Sequence, residues 1–148
     1  MTRAQKWLLH LSNALVGVTG LVYGWMRYFA ESDDPFAIAN HPWQPEWQHA
    51  HILTAPLLLF AVGWMWSNHV LVKIRSGAKS GRRSGLLLVA FMFPMVFSGY
   101  LLQTANSEAW REAWVAVHVC TSVVWFLAAV VHPFLPSIKI ERGSQSES

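Results

Sequence analysis

The sequence predicts an all-α integral membrane protein, a four-helix bundle with its N-terminus and C-terminus both cytoplasmic. Three observations predict it. Of the 148 residues, 53% are hydrophobic and 13% charged, about half the charged share of a soluble domain. The apolar residues gather in four blocks, roughly 7–29, 47–73, 85–103 and 112–135, each near the ~20 residues that cross a ~30 Å hydrocarbon core. The charges are segregated: nine of the eleven Lys and Arg stand at the N-terminus (Arg3, Lys6), between blocks two and three (Lys73, Arg75, Lys79, Arg82, Arg83) and in the tail (Lys139, Arg142). Arg27 and Arg111 alone share the other two connections with Glu31, Asp33, Asp34, Glu46, Glu108 and Glu112, so the positive-inside rule puts both termini in the cytoplasm.

The first block begins basic but is long and contains His10, Asn13, Tyr23 and Trp25. It lacks a small-residue cleavage site, so it reads as a retained helix and not as a signal peptide. Its Gly17, Gly20 and Gly24 open a groove for a neighbouring helix or a flat ligand. The loop "ESDDPFAIANHPWQPEW" has three prolines among aromatics, which suits an ordered cap on the membrane surface. Trp43, Trp47, Trp110 and Trp114 would form an aromatic belt on that side. The basic, Gly- and Ser-rich "RSGAKSGRRSG" is a solvated turn and a topology signal, with no nucleic-acid partner expected. Block three, with Pro94 as a kink point and "SGY" near its outer end, has no histidine, so ligand chemistry must come from the other three helices. Residues 1–138 form a single four-helix domain, and 139–148 read as a disordered tail. No internal sequence repeat is evident. The single cysteine, Cys120, excludes a disulfide framework and a covalent c-type haem motif, and reads as a small core residue.

The histidines carry the chemistry. His118 and His132 are fourteen residues apart in block four, about 21 Å along a helix axis and within about 40° of the same face. In block two, His49 and His51 are about 200° apart, so only one faces a common interior. His51 is the deeper, and it shares a face with His69 five turns on. Block one runs the opposite way, which brings His10 to the cytoplasmic level of His132 and His69. An outer cluster of His51 and His118 and an inner cluster of His10, His132 and His69 result. Neutral imidazoles from two facing helices fill both axial positions of a haem iron, a closed site that favours electron transfer. Zinc fits less well, because neither level supplies the Cys or acidic residues that complete a four-ligand shell.

Four helices with both ends inside, a histidine near the start of helix one, one at the outer end of helix two, none in helix three and an H-x13-H in helix four resemble a known family. It is that of the di-haem cytochrome b membrane subunits of formate dehydrogenase and nickel-iron hydrogenase, and of bacterial superoxide oxidase. The resemblance covers roughly 7–135. It implies two haem b groups, the outer held by His51 and His118 and the inner by His10 and His132; His69 and His49 remain further candidates from their positions on block two alone. It also implies a quinone site, for which Asn13, Asn68, His69 and Arg75 are inner-side candidates, although Asn68 and His69 equally suit local helix-end contacts. The chain departs from the family in its short length, its "HPWQPEWQHAH" loop and its extra histidines.

The expected function is transmembrane electron transfer in a bacterial inner membrane, linking the quinone pool to a periplasmic redox partner subunit that covers the aromatic cap. A free-standing oxidoreductase acting on a small diffusible species such as superoxide is a variant of this. A haem-free anchor or transporter using its histidines for protons or a transition metal, and an assembly factor carrying haem transiently, are the other classes.

Overall fold

The computed structural model describes residues 1–76 and 81–134. Lys79, Lys139, Arg142 and the expected tail lie outside the described residues. Within them the chain is all-α, with no strand. Helix α1 is Arg3–Tyr28, α2 is Gln44–Arg75 with a π-helical turn at Trp66–Leu71, α3 is Arg82–Thr104, and α4 is Glu108–Val131 followed by a 3-10 turn at His132–Phe134. All four are long and apolar enough to cross a membrane.

Each helix begins earlier than its apolar block, because its first turn carries polar residues, and in α1 and α4 a side chain caps that turn. At α1 the Thr2 hydroxyl accepts from Gln5 N–H at 3.2 Å and Gln5 Oε1 accepts from Thr2 N–H at 2.9 Å, a reciprocal capping box. Pro45 lies in the first turn of α2, where its missing N–H costs nothing. The cap of α3 is Gly81, whose φ of 66° is left-handed backbone that a side chain would strain. Ser107 caps α4 by accepting from Trp110 N–H, with Glu108 in the first turn favourably placed against the helix dipole.

The helices fall into two compact units, Met1–Val72 and Lys73–Ser148. In the first α1 pairs with α2, and in the second α3 pairs with α4. In the first hairpin α1 buries Gln5, Ser12, Thr19 and Met26, each seven residues from the next. On α2, Gln44, Leu58 and Met65 are buried and His51 completes the same seven-residue series. A seven-residue step falls about 20° short of two full turns, so each series is one continuous stripe. The stripe on α1 is polar, whereas Leu11, Leu15, Val18 and Leu21 are exposed. A water-soluble helix shows the opposite pattern, and hydrocarbon around the hairpin explains the inversion. In the second hairpin the buried residues are Met92 and Ser98 on α3 and Trp125 on α4.

The loop of residues 29–43 makes hydrogen bonds of its own and to the ends of α1 and α2. Asp34 Oδ1 accepts from Phe36 N–H at 2.9 Å, Asn40 Nδ2 donates to the Arg27 carbonyl at 2.8 Å, and Gln44 Oε1 accepts from Asn40 N–H at 3.2 Å. Cys120 is corrected: it is exposed on the outer face of α4 and not in the core. Its neighbours His118 and Thr121 take the positions that face or support the seam.

Ala61 is 1% exposed between Leu58 and Met65, so the helices approach closely there. Ala61→Leu should destabilise the first hairpin by about 1–3 kcal/mol through overpacking, read as a lower midpoint for loss of helicity in detergent.

Candidate functional site

Three histidines turn into the hairpin seams, and each meets a hydroxyl of the facing helix at Nδ1. His51 on α2 places Nδ1 3.1 Å from the Val16 carbonyl and 3.3 Å from Thr19 Oγ1. His118 on α4 places Nδ1 2.9 Å from the Met95 carbonyl and 3.3 Å from Ser98 Oγ. His132 places Nδ1 2.8 Å from Ser84 Oγ. A carbonyl can only accept, so Nδ1 of His51 and of His118 carries the proton, and the lone pair of the neutral ring is on Nε2. At His132 the Ser84 hydroxyl is 2.8 Å from Nδ1 and 3.1 Å from the Gly81 carbonyl, so it can accept from Nδ1 while donating to that carbonyl.

Glycine makes room for the two outer-end rings. A Cβ on Gly20 would stand 2.8 Å from His51 Cε1, and one on Gly99 would stand 3.1 Å from His118 Cε1. Neither fits without movement, so these glycines let the imidazole reach a helix carbonyl that a side chain would screen. Around His132 the space is looser, with the corresponding distances 3.5 Å at Gly81 and 3.7 Å at Gly85.

The arrangement is an internal repeat that the sequence alone does not show. Thr19-Gly20 faces His51, and Ser98-Gly99 faces His118. Three residues beyond each histidine a threonine, Thr54 or Thr121, donates back to that histidine's own carbonyl at 3.2 Å. Thr19 and His51 are 32 residues apart, and Ser98 and His118 are 20. The difference of twelve equals the difference in loop length, fifteen residues at 29–43 against three at 105–107. Within the second hairpin the seat occurs twice: Ser84 and Ser98 are fourteen residues apart, as are His118 and His132.

His118 and His132 therefore share a face of α4, turned to α3. Of the adjacent pair, His51 is on the seam and His49 is exposed. The five-turn relation between His51 and His69 assumes an uninterrupted α-helix, and the π turn at Trp66–Leu71 shifts the angle between them, since i→i+5 bonding advances less than 100° per residue. His69 is half-buried inside that turn, Asn68 is exposed and accepts from Ser67 Oγ at 3.3 Å, Asn13 is half-buried and Arg75 exposed. His10 is exposed, about 140–160° around α1 from the buried Gln5 and Ser12.

Helix α3 has no histidine, yet it supplies the partners of two. Residue-by-residue reading passes over Thr19, Ser84 and Ser98, although two "SG" pairs at the histidine spacing were the available signal. His41 was also missed: its Nδ1 accepts from Trp43 N–H at 3.1 Å and its ring is 6.3 Å from that of Trp25, which makes it part of the cap. Two of the expected belt residues, Trp110 and Trp114, stack at 6.1 Å, with Phe97 edge-on to Trp114 at 6.3 Å.

Among the described residues no three His, Cys, Asp or Glu side chains come together as a metal shell. A bis-imidazole site needs only two ligands, and histidines whose Nδ1–H is tied to a carbonyl or hydroxyl present Nε2 as iron ligation requires. The donor set at His51, His118 and His132 fits haem iron. Comparison with known proteins gives no matching family model, curated protein or solved structure.

The two kinds of seat should respond differently to a methyl group. Gly20→Ala should displace His51 and lower the thermal midpoint of the detergent-solubilised protein, whereas Gly85→Ala should leave it close to wild type.

Proposed function

We propose that this protein is a di-haem b-type cytochrome that moves electrons across a bacterial inner membrane, between the quinone pool and a redox partner on the side of the 29–43 loop. The observation that carries the reading is the pair of seats in the second hairpin. They hold His118 and His132 fourteen residues apart on one face, about 21 Å along the axis, each with Nδ1 engaged. His51 and His10 complete the axial ligand set, paired with His118 and His132 as the resemblance to di-haem cytochrome b subunits implies. Haem, when bound, supplies a reversible one-electron iron couple. The chain's own residues fix the orientation of the seam imidazoles, and His51, His118, His10 and His132 would hold the two haems.

Both termini are cytoplasmic in this reading, on the strength of Arg3, Lys6, Lys73, Arg75, Arg82 and Arg83. Quinone approaches from that side, where Asn13, Asn68, His69 and Arg75 can donate to a carbonyl. The opposite side carries the ordered cap, with Phe36 90% and Ile38 101% exposed. Apolar side chains so open to water support a protein partner there.

A reduced-minus-oxidised spectrum with pyridine haemochrome quantification tests the function. Two low-spin b-type haems per chain are expected, falling to one in His51→Ala or His118→Ala and in His10→Ala or His132→Ala. A colourless protein would overturn the reading and return the histidines to proton or metal handling.

A further inference from the structure

The three seats contain more than a ligating residue each. His51, His118 and His132 all meet a hydroxyl at Nδ1, from Thr19 at 3.3 Å, Ser98 at 3.3 Å and Ser84 at 2.8 Å. Each hydroxyl also donates to a carbonyl of its own helix: Thr19 to Leu15 at 2.8 Å, Ser98 to Pro94 at 2.6 Å and Ser84 to Gly81 at 3.1 Å. A hydroxyl whose proton is committed to the helix has only lone pairs left for the imidazole, so it selects the Nδ1–H tautomer. Thr19 and Ser98 are 7% and 0% exposed, so water does not compete for them.

We infer that Thr19, Ser84 and Ser98 are positioning residues that hold the three seam histidines as Nδ1–H tautomers, which puts the lone pair of each neutral ring on Nε2 and raises the basicity of the ring. This rests on the di-haem reading for the identity of the ligand, but not for the tautomer. The glycines after Thr19 and Ser98 belong to the same device, because Gly20 and Gly99 let the ring edge approach the helix. The same construction occurs in two separate hairpins, on two different hydroxyl residue types, and twice along α3. Packing alone requires a small residue at these positions and not a hydroxyl, since alanine would fill them equally well.

Hydrogen bonding at Nδ1–H makes the imidazole a stronger donor and favours the ferric state. Ser84→Ala should therefore raise the midpoint potential of one haem component while leaving haem content at two per chain, and Ser84→Thr should restore it. The smaller changes expected in Thr19→Val and Ser98→Ala should fall on the other component, because the Val16 and Met95 carbonyls still accept in those variants. The second readout is nitrogen NMR of histidine-labelled protein, in the reduced diamagnetic state or without haem. Wild type should show Nδ1-protonated neutral rings, with one signal lost or moved in each variant. Unmoved potentials together with unmoved ring signals in all three would overturn the positioning role. Wild type without haem but with Nδ1–H rings that respond to the substitutions would sink the electron-transfer reading and leave the tautomer lock standing. Nε2-protonated rings in wild type would overturn the lock whatever the haem content.

Discussion

In hydrocarbon every hydrogen-bonding group must find its partner within the protein, because no water is present to supply one. The rest of this structure depends on that constraint. Backbone groups meet it by forming helices, and side chains meet it by turning toward the neighbouring helix. The result is a pair of hairpins with polar seams and apolar exteriors. Gln5, Ser12, Thr19 and Ser98 are buried while Leu11, Leu15, Phe93 and Phe97 are exposed. Among the described residues no buried side-chain nitrogen or oxygen lacks a partner. A histidine placed on such a seam is held by the same rule, and the partner it finds determines which nitrogen carries the proton.

That link connects packing to chemistry. A ring that is free to choose divides between tautomers, but a ring facing a helix carbonyl cannot. The approach needs a residue without Cβ at the point of contact, which explains Gly20 and Gly99. It also needs the carbonyl four residues before that glycine, since Gly20 lies one helical turn after Val16 and Gly99 one turn after Met95. The intervening hydroxyl, one residue before the glycine, falls beside the same nitrogen. Three residue types in one turn of helix thus define both the position and the protonation of an imidazole on another helix.

The class of fold was legible because it rests on quantities that a sequence states directly, namely run length, charge content and charge position. His118 and His132 were legible as a same-face pair because α4 is uninterrupted between them, so 100° per residue applies. His51 was separable from His49 for the same reason. The π turn at Trp66–Leu71 was not legible, because such a turn has no strong sequence signal, and it alters the angle between His51 and His69. Cys120 was misread because small apolar residues suit a seam and a lipid face equally. The repeat was hidden by chemistry that differs in letters and agrees in function: threonine stands for serine, Val16 and Met95 act only through their backbones, and a loop twelve residues longer shifts the alignment.

The repeat also shows where the two hairpins differ. Fourteen residues from Thr19 and His51, toward the far end of the first hairpin, stand Gln5 and Met65, both buried. They occupy the positions that Ser84 and His132 hold in the second hairpin. No imidazole is seated there, and Gln5 commits its amide to the Thr2 N–H and to the Trp64 carbonyl at 3.1 Å, immediately before the π turn. The fourth ligand of the proposed set, His10, comes instead from the exposed flank of α1, away from α2. Under the di-haem proposal, one haem draws both ligands from glycine-backed seats with carbonyl acceptors, and the other draws one ligand from a looser serine seat and one from outside any seat. Unlike hydrogen bonding at the ligands gives unlike potentials, so under that proposal the two haems differ in potential because their histidines are held differently.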